Sequence, residues 1–321
     1  MSFKAAIVQK PPLSLDLAAS VERAVAWIEE AAAEGARLIV FPETFLPGYP
    51  SWIWRLRPGP DLKLGNEIHA RLRANAVDLS SDALDPVYEA AARHRAVVVM
   101  GLNELDATFS GSTLFNTVVV IDADGRLRNR HRKLMPTNPE RMVWGTGDAS
   151  GLRVVDTPVG RIGCLICWEN YMPLARYALY AQNIELHIAP TWDCGAIWLA
   201  SMHHIAREGG CWVLATGTAI QAGDLAEDFP GREQLYPDPE EWLCAGDAVV
   251  VRPFGGIAAG PLTREKGILY AEIDPEAARR ARKSLDVAGH YGRPDLFRLE
   301  VDRRSRPPVL FTDSGGAATE E

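Results

Sequence analysis

The chain has 321 residues, 47% of them hydrophobic and 24% charged, with 34 Lys and Arg against 42 Asp and Glu for a formal net charge of -8. That composition excludes disorder through the bulk of the chain, and a chain of this size can bury a core as one domain or two without disulfide or metal staples. With no run of basic residues, no apolar stretch of ~20 residues and no signal-peptide core after the opening Met-Ser-Phe-Lys, neither nucleic acid nor membrane is an expected partner, and a cytoplasmic location is expected.

In chain order, Phe3 to Val8 reads as an opening strand, and Leu17, Val21, Ala24, Val25, Ile28 and Ala32 recur at helical spacing up to Gly35, a natural helix end. Arg37 to Phe41 follows as a short buried strand. Asp85 as a cap and Pro86 in the first turn open a helix through His94, which leads into a strand over Ala96 to Leu102. Thr113 to Ile121 and Arg126 to His131 flank Asp-Ala-Asp-Gly, so a hairpin is expected and the sheet should be mixed. Later strands are expected at Arg161 to Ile166, Ile184 to Ala189, Cys211 to Ile220 and Ala248 to Arg252, with helices at Pro173 to Gln182 and Ala196 to Glu208. No linker or repeat divides this stretch, so residues 1-281 are expected to form one domain. Residues 282-321 turn polar and Arg-rich, as a C-terminal extension that should contribute to an interface and end in a disordered Thr312 to Glu321.

The five cysteines, Cys164, Cys167, Cys194, Cys211 and Cys244, are odd in number and lie in apolar segments without the spacing of a disulfide framework, which fits free thiols. No G-x-G-x-x-G, P-loop, H-E-x-x-H or G-x-S-x-G pattern occurs. Cys167 stands where the strand Arg161 to Ile166 runs out and a helix is about to begin. A thiol there can face a cleft and be activated, its pKa lowered, by cations and backbone dipoles; the alternative is a buried structural cysteine. Cys164 and Cys167 also spell C-x-x-C. Three positions apart in one strand, however, they would point to opposite faces, and no second such pair completes a zinc site. Glu43 is delivered at the end of the strand Arg37 to Phe41, where open α/β sheets place ligands, unless it is simply solvated. Lys133 closes Arg130-His-Arg-Lys, which could equally be a solvent-facing basic edge.

A base, a cation and a thiol from three strand ends are the parts needed to attack a carbon-nitrogen multiple bond. Phe41-Pro-Glu-Thr-Phe45, His131-Arg-Lys-Leu-Met-Pro-Thr137 and Cys167-Trp-Glu-Asn-Tyr-Met-Pro173, in this order, resemble the nitrilase branch of the carbon-nitrogen hydrolase superfamily. The resemblance extends to Pro139-Glu140-Arg141 with Trp144-Gly145, to Ala189-Pro-Thr191, to Met202 through Gly209 and to Gly289 through Asp295, nearly the whole chain. The Cys-Trp-Glu-Asn form looks more like true nitrilases than like the amidases and carbamoylases.

The resemblance implies an α-β-β-α sandwich that pairs as αββααββα across a dimer, and no metal or organic cofactor. It maps the nucleophile to Cys167, the lysine to Lys133, the general base to Glu43 and a second glutamate to Glu140. The implied reaction takes an organic nitrile to a carboxylic acid and ammonia through thioimidate and thioester intermediates. An amidase, a carbamoylase or a hydratase stopping at the amide is the alternative within the fold, and a non-catalytic scaffold the alternative outside it. Trp168, Trp192, Tyr49, Trp54 and Thr137 are the expected substrate-binding residues, because small-molecule pockets are mostly apolar and aromatic. His203 and His204 are expected to be packing or interface residues without a catalytic role. The expected partners are a small nitrile and other copies of the chain, as a homodimer or a larger even-numbered homo-oligomer.

Overall fold

The computed structural model describes residues 2–305, 307 and 309, and the expected disorder from Thr312 onward lies outside them. The first half runs β1 (Phe3–Val8), α1 (Leu17–Ala33), β2 (Ala36–Val40), α2 (Leu62–Ala74), α3 (Asp85–His94), β3 (Val97–Leu105), β4 (Leu114–Ile121) and β5 (Leu127–Arg132). The second runs β6 (Val155–Thr157), β7 (Gly160–Cys164), α4 (Pro173–Tyr180), β8 (Leu186–Thr191), α5 (Ala196–Gly209), β9 (Trp212–Gly217), β10 (Ala219–Gln221), α6 (Arg232–Leu235), β11 (Trp242–Val251), β12 (Ile257–Thr263), β13 (Ile268–Ile273) and α7 (Glu276–Arg282).

The strands form two mixed sheets, one ordered β13-β1-β2-β3-β4-β5 and the other β10-β11-β9-β8-β7-β6 with β12 beside β11. Parallel pairs sit at the centre of each (β1 with β2 and β2 with β3; β7 with β8 and β8 with β9), and antiparallel pairs sit outside them. Period-two alternation assigns each strand's side chains to two layers. Ala5, Ile7, Leu38, Val40, Val97 and Val99 meet Ile162, Cys164, Leu186, Ile188, Leu214 and Val250 between the sheets. Ala6, Val8, Ile39 and Val98 face outward onto Val21, Ala24 and Ile28 of α1 and Val87, Ala90 and Ala91 of α3. On the other side Val213, Ala215, Val249 and Val251 pack on Leu179 of α4 and Met202 and Ile205 of α5. The expected α-β-β-α sandwich is therefore the observed one.

Local chemistry explains the element ends. Asp16 caps α1 by accepting from Ala19 N at 3.0 Å. Asp85 does not cap α3. Leu84 takes that position, and Asp85 lies inside the first turn, where its charge complements the helix dipole. The Asp122 to Gly125 turn closes the β4–β5 hairpin, with Gly125 at φ 80°. Two expected strands are corrected. Arg161 to Ile166 ends at Cys164, so Cys167 is not in the strand at all. The expected strand Cys211 to Ile220 is two, β9 and β10, broken where Thr216 Oγ1 donates to Val8 O and Ala219 N to Gln9 O, which tie the chain to the first sheet.

Candidate active site

Loops at the strand ends, not the strands themselves, carry the titratable groups. Glu43 follows β2, in a loop anchored by Phe41 N donating to Val99 O at 2.8 Å. Gly101 of β3 lies directly beneath this loop: a Cβ there would fall 2.1 Å from Pro42 O and 2.9 Å from Glu43 Cα, so only glycine permits the approach. Lys133 follows β5, and its N–H donates to Asn116 O of β4 at 2.7 Å. Glu140 sits in a short 3-10 helix, Asn138–Met142, and its Oε2 accepts from Thr137 N at 2.6 Å in a capping box. Cys167 opens a second 3-10 helix, Cys167–Tyr171.

These loops converge on one buried network. Lys133 Nζ donates to Glu43 Oε1 and to Glu140 Oε2, both at 2.8 Å. Asn116 Nδ2 donates to Glu43 Oε1 at 2.7 Å and Tyr49 OH to Glu140 Oε1 at 2.7 Å, and Trp54 Nε1 donates to Tyr49 OH at 3.1 Å. Glu43, Lys133, Glu140 and Cys167 are all buried, so the solvated reading of Glu43 and the edge-strand reading of Lys133 both fail. Among the described residues Glu43 Oε2 has no hydrogen-bond partner. Leaving a buried carboxylate oxygen unpaired is costly, and such atoms in native structures call for a chemical explanation.

Three non-glycine residues with left-handed backbone stand in these loops: Thr44 (φ 44°), Asn138 (φ 45°) and Cys167 (φ 52°). Each is strained by about 1–3 kcal/mol, and such strain concentrates where side-chain direction matters more than stability. Cys167 thus lies past the end of β7 with a backbone that is not a strand's. The opposite-face argument for Cys164 and Cys167 therefore does not apply as framed, although both thiols are free.

Burial and the carboxylates of Glu43 and Glu140 push the Cys167 thiol up to about 12 against the pull of Lys133. This overturns the expected lowering: the resting group is a thiol, and its proton must be removed during attack. Burial raises the Glu43 carboxyl above its ordinary value, opposed by Lys133 and assisted by Glu140. Burial alone would lower the Lys133 ammonium, but Glu43, Cys167 and Glu140 outweigh it and hold the group protonated.

A second buried cluster, which sequence reasoning missed, fixes the geometry. Glu169 Oε1 accepts from Leu134 N at 2.7 Å and Oε2 from Ile166 N at 2.6 Å, while His131 Nε2 lies 3.0 Å from the same carboxylate. One side chain thereby clamps the segment after Lys133 to the residue before Cys167. Burial would raise the Glu169 carboxyl, but His131 and the two backbone donors hold it below its ordinary value. Asn170 Nδ2 donates to Leu165 O at 2.9 Å and to Cys167 O at 2.8 Å, and His187 Nε2, on a ring held neutral by burial, lies 2.7 Å from Asn170 Oδ1. The only sequence signal for Glu169 and Asn170 was their place in Cys-Trp-Glu-Asn.

Above the network opens a cleft of about 180 Å³ lined by Tyr49, Trp54, Thr137, Glu140, Cys167, Trp168, Trp192 and Asp193. All five residues expected to contact a substrate stand on its wall; Glu43 and Lys133 lie beneath it. Tyr49 and Trp192 stack with centroids 4.3 Å apart and planes 7° from parallel. Trp168, 46% exposed, donates its Nε1 to Asp193 Oδ2 at 2.9 Å. Asp193 was not expected. Thr191 Oγ1 accepts from Asp193 N at 2.8 Å, and its side chain is hydrogen-bonded to the Cys167 thiol. His203 and His204 on α5 lie outside the cleft lining. Among the described residues no group of three or more His, Cys, Asp or Glu side chains is placed to hold a metal ion.

The carbon-nitrogen hydrolase family model matches residues 4–283. A bifunctional nitrilase/nitrile hydratase of Nicotiana tabacum is 39% identical over 99% of this chain and 91% of its own length. An aliphatic nitrilase of Sinorhizobium fredii is 40% identical over 96% of this chain and 98% of its own. Among solved structures, Nit3 of Saccharomyces cerevisiae, a member of branch 10 of the nitrilase superfamily, superposes with a TM-score of 0.70 at 22% identity, covering 90% of this chain and 96% of that one.

Proposed function

The chain belongs to the carbon-nitrogen hydrolase family, in its nitrilase branch, and from that premise we propose that it is a nitrilase whose catalytic groups are Cys167, Glu43, Lys133 and Glu140. The observation that carries the assignment is a strained, protonated Cys167 thiol in the same buried site as a carboxylate with one unpaired oxygen. Glu43 Oε2 takes the thiol proton as the sulfur attacks the nitrile carbon. The proton is delivered to the nitrile nitrogen, and a thioimidate forms. A water deprotonated by Glu43 adds to it, and the tetrahedral carbon expels ammonia to leave a thioester. A second water, activated in the same way, releases the carboxylic acid and restores the thiol. The balance is one nitrile and two waters to one acid and one ammonia.

Lys133 keeps its proton throughout, because Glu43 and Glu140 hold it. Its role is a fixed positive charge beside the tetrahedral oxygen, with the backbone N–H of Trp168 as a second donor. Glu140 positions that charge through Oε2 and presents itself to the cleft. Tyr49, Trp54, Thr137, Trp168 and Trp192 form the walls against the substrate. The tobacco relative's description as both nitrilase and nitrile hydratase favours a second outlet: if sulfur leaves the tetrahedral carbon before nitrogen, the product is the amide. A donor correctly placed on the oxyanion is worth ~3–4 kcal/mol, so acid should dominate and amide be minor.

The protein works as a homodimer or larger even-numbered oligomer in the cytoplasm; among the described residues no helix is long and apolar enough to cross a membrane. The test is ammonia release from a panel of aliphatic, aromatic and arylacetic nitriles, with acid and amide separated by chromatography. Cys167→Ala should release none while retaining the wild-type circular dichroism and melting transition. Full activity in that variant, or amide as the main product, overturns the assignment.

A further inference from the structure

The cleft carries more negative charge than its chemistry uses. Of its eight lining residues two are carboxylates, Glu140 and Asp193, and none is Lys, Arg or His. The single ammonium beneath, Lys133, is shared by Glu43 and Glu140 at 2.8 Å each. Asp193, by contrast, is held by neutral donors: Oδ2 accepts from Trp168 Nε1 at 2.9 Å and Tyr171 OH at 3.0 Å, and Oδ1 accepts from Cys194 N at 2.9 Å. Its charge is thereby fixed in direction without being cancelled. Two residues on, Gly195 N donates to Asp247 Oδ2 at 2.7 Å, which ties this loop to β11.

We propose that Asp193 sets substrate charge: the cleft accepts small neutral or cationic nitriles and rejects nitriles that carry a carboxylate. The inference rests on the nitrilase reading and narrows it. The nitrile must reach Cys167 along a wall that includes Trp168 and Asp193, so a substrate carboxylate a few bonds from the nitrile stands near the Asp193 charge. Two like charges within one half-solvated cleft repel, and at effective dielectrics between those of a protein surface and water the effect on transition-state binding is on the order of tenfold. The same field acts on the product. The substrate enters neutral and the acid leaves as an anion, so Asp193 disfavours product rebinding as well as the entry of anionic substrate.

The test compares a nearly isosteric pair that differs chiefly in charge, 4-cyanobutanamide and 4-cyanobutanoate, with turnover read as nitrile consumed. In the wild type kcat/KM should favour the amide by tenfold or more, with a gap that narrows as salt is added. Asp193→Asn, which removes the charge and keeps the shape, should shrink the gap to within about threefold, and Asp193→Glu should retain it. A wild-type preference for the carboxylate, or a gap unchanged in Asp193→Asn, overturns the proposal. Binding of the same pair to Cys167→Ala, read by tryptophan fluorescence, keeps the two readings apart. A tenfold preference there with no ammonia from the wild type would leave the charge rule standing and remove the nitrilase assignment. Equal binding there, together with equal turnover in the wild type, would remove the charge rule alone.

Discussion

Glu43 does two incompatible-looking things at once, and its two oxygens divide the work. Oε1 is saturated by Lys133 and Asn116, which fixes the carboxylate, and Oε2 is left to move a proton. Because the Cys167 thiol is pushed up to about 12, turnover at neutral pH depends on Glu43 being ionised when substrate arrives. Its carboxyl is itself raised above 4.5, so kcat/KM should be lost as pH falls through that raised value, and the acid limb should lie above the position of an ordinary glutamate. The limb is a property of the Glu43, Lys133 and Glu140 set, not of one residue. Glu43→Gln should lower kcat at least about a thousandfold and abolish the limb; a limb that persists unchanged would assign the base elsewhere. Cys164 provides the contrast. Its thiol is pushed up by burial and by the Glu169 carboxylate, with neither Glu43 nor Glu140 acting on it, and Cys164→Ala should keep most of the activity.

The loops succeed because rigid strands hold them at close quarters, and two residues test this. Gly101→Ala would drive a methyl into Pro42 O and the Glu43 backbone. We expect a loss of about 3 kcal/mol in denaturant unfolding and, since even a 1 Å displacement of a catalytic group is costly, roughly a hundredfold loss in kcat. Glu169→Gln leaves one backbone donor of the clamp unpaired and should destabilise by about 3 kcal/mol at neutral pH. The Glu169 pKa is depressed on folding, so its contribution is present above about 4.5 and is lost as pH falls through the lower folded value. The wild type's advantage over Glu169→Gln should therefore shrink on acidification, and a constant difference in unfolding free energy from pH 7 to pH 3 would contradict the clamp. The legibility of the site in the sequence follows the same division. Glu43, Lys133, Glu140 and Cys167 each sit in a short contiguous motif and could be singled out locally. Asn116 and Glu43 lie 73 positions apart and Glu169 and Leu134 35 apart, and only the folded arrangement makes them partners. Among the elements, α2 went unassigned because it buries only Ile68 and Leu72, and β12 because its mostly exposed side chains and Pro261 erase the alternation that marks a strand.

Two sheets sealed face to face leave the outer helices as the surfaces on which the molecule can meet another copy. On α4 and α5 these are not uniformly polar: Leu174 is 65% exposed and Ile197 79%. Exposed apolar side chains on these helices suit a two-fold contact with an identical chain, and pairing through them would give the eight-layer arrangement that the nitrilase resemblance implies. The hollow between the two helices is lined by Asn170, Tyr171, Arg176 and His204 as well as Ile197 and Ser201. Asn170 bonds the Cys167 carbonyl, and Tyr171 bonds Asp193, so a partner copy seated on this face would brace the catalytic turn and the cleft rim. Light scattering at micromolar concentration should report a dimer or an even multiple of it for the wild type. Leu174→Asp combined with Ile197→Asp, both far from the core, should shift the mass toward the monomer without unfolding it. Because the bracing would be lost with the partner, kcat/KM should fall about tenfold in that variant and recover as protein concentration is raised. A wild type that is monomeric at working concentration, or a monomeric variant with undiminished kcat/KM, would separate assembly from catalysis and refute the coupling.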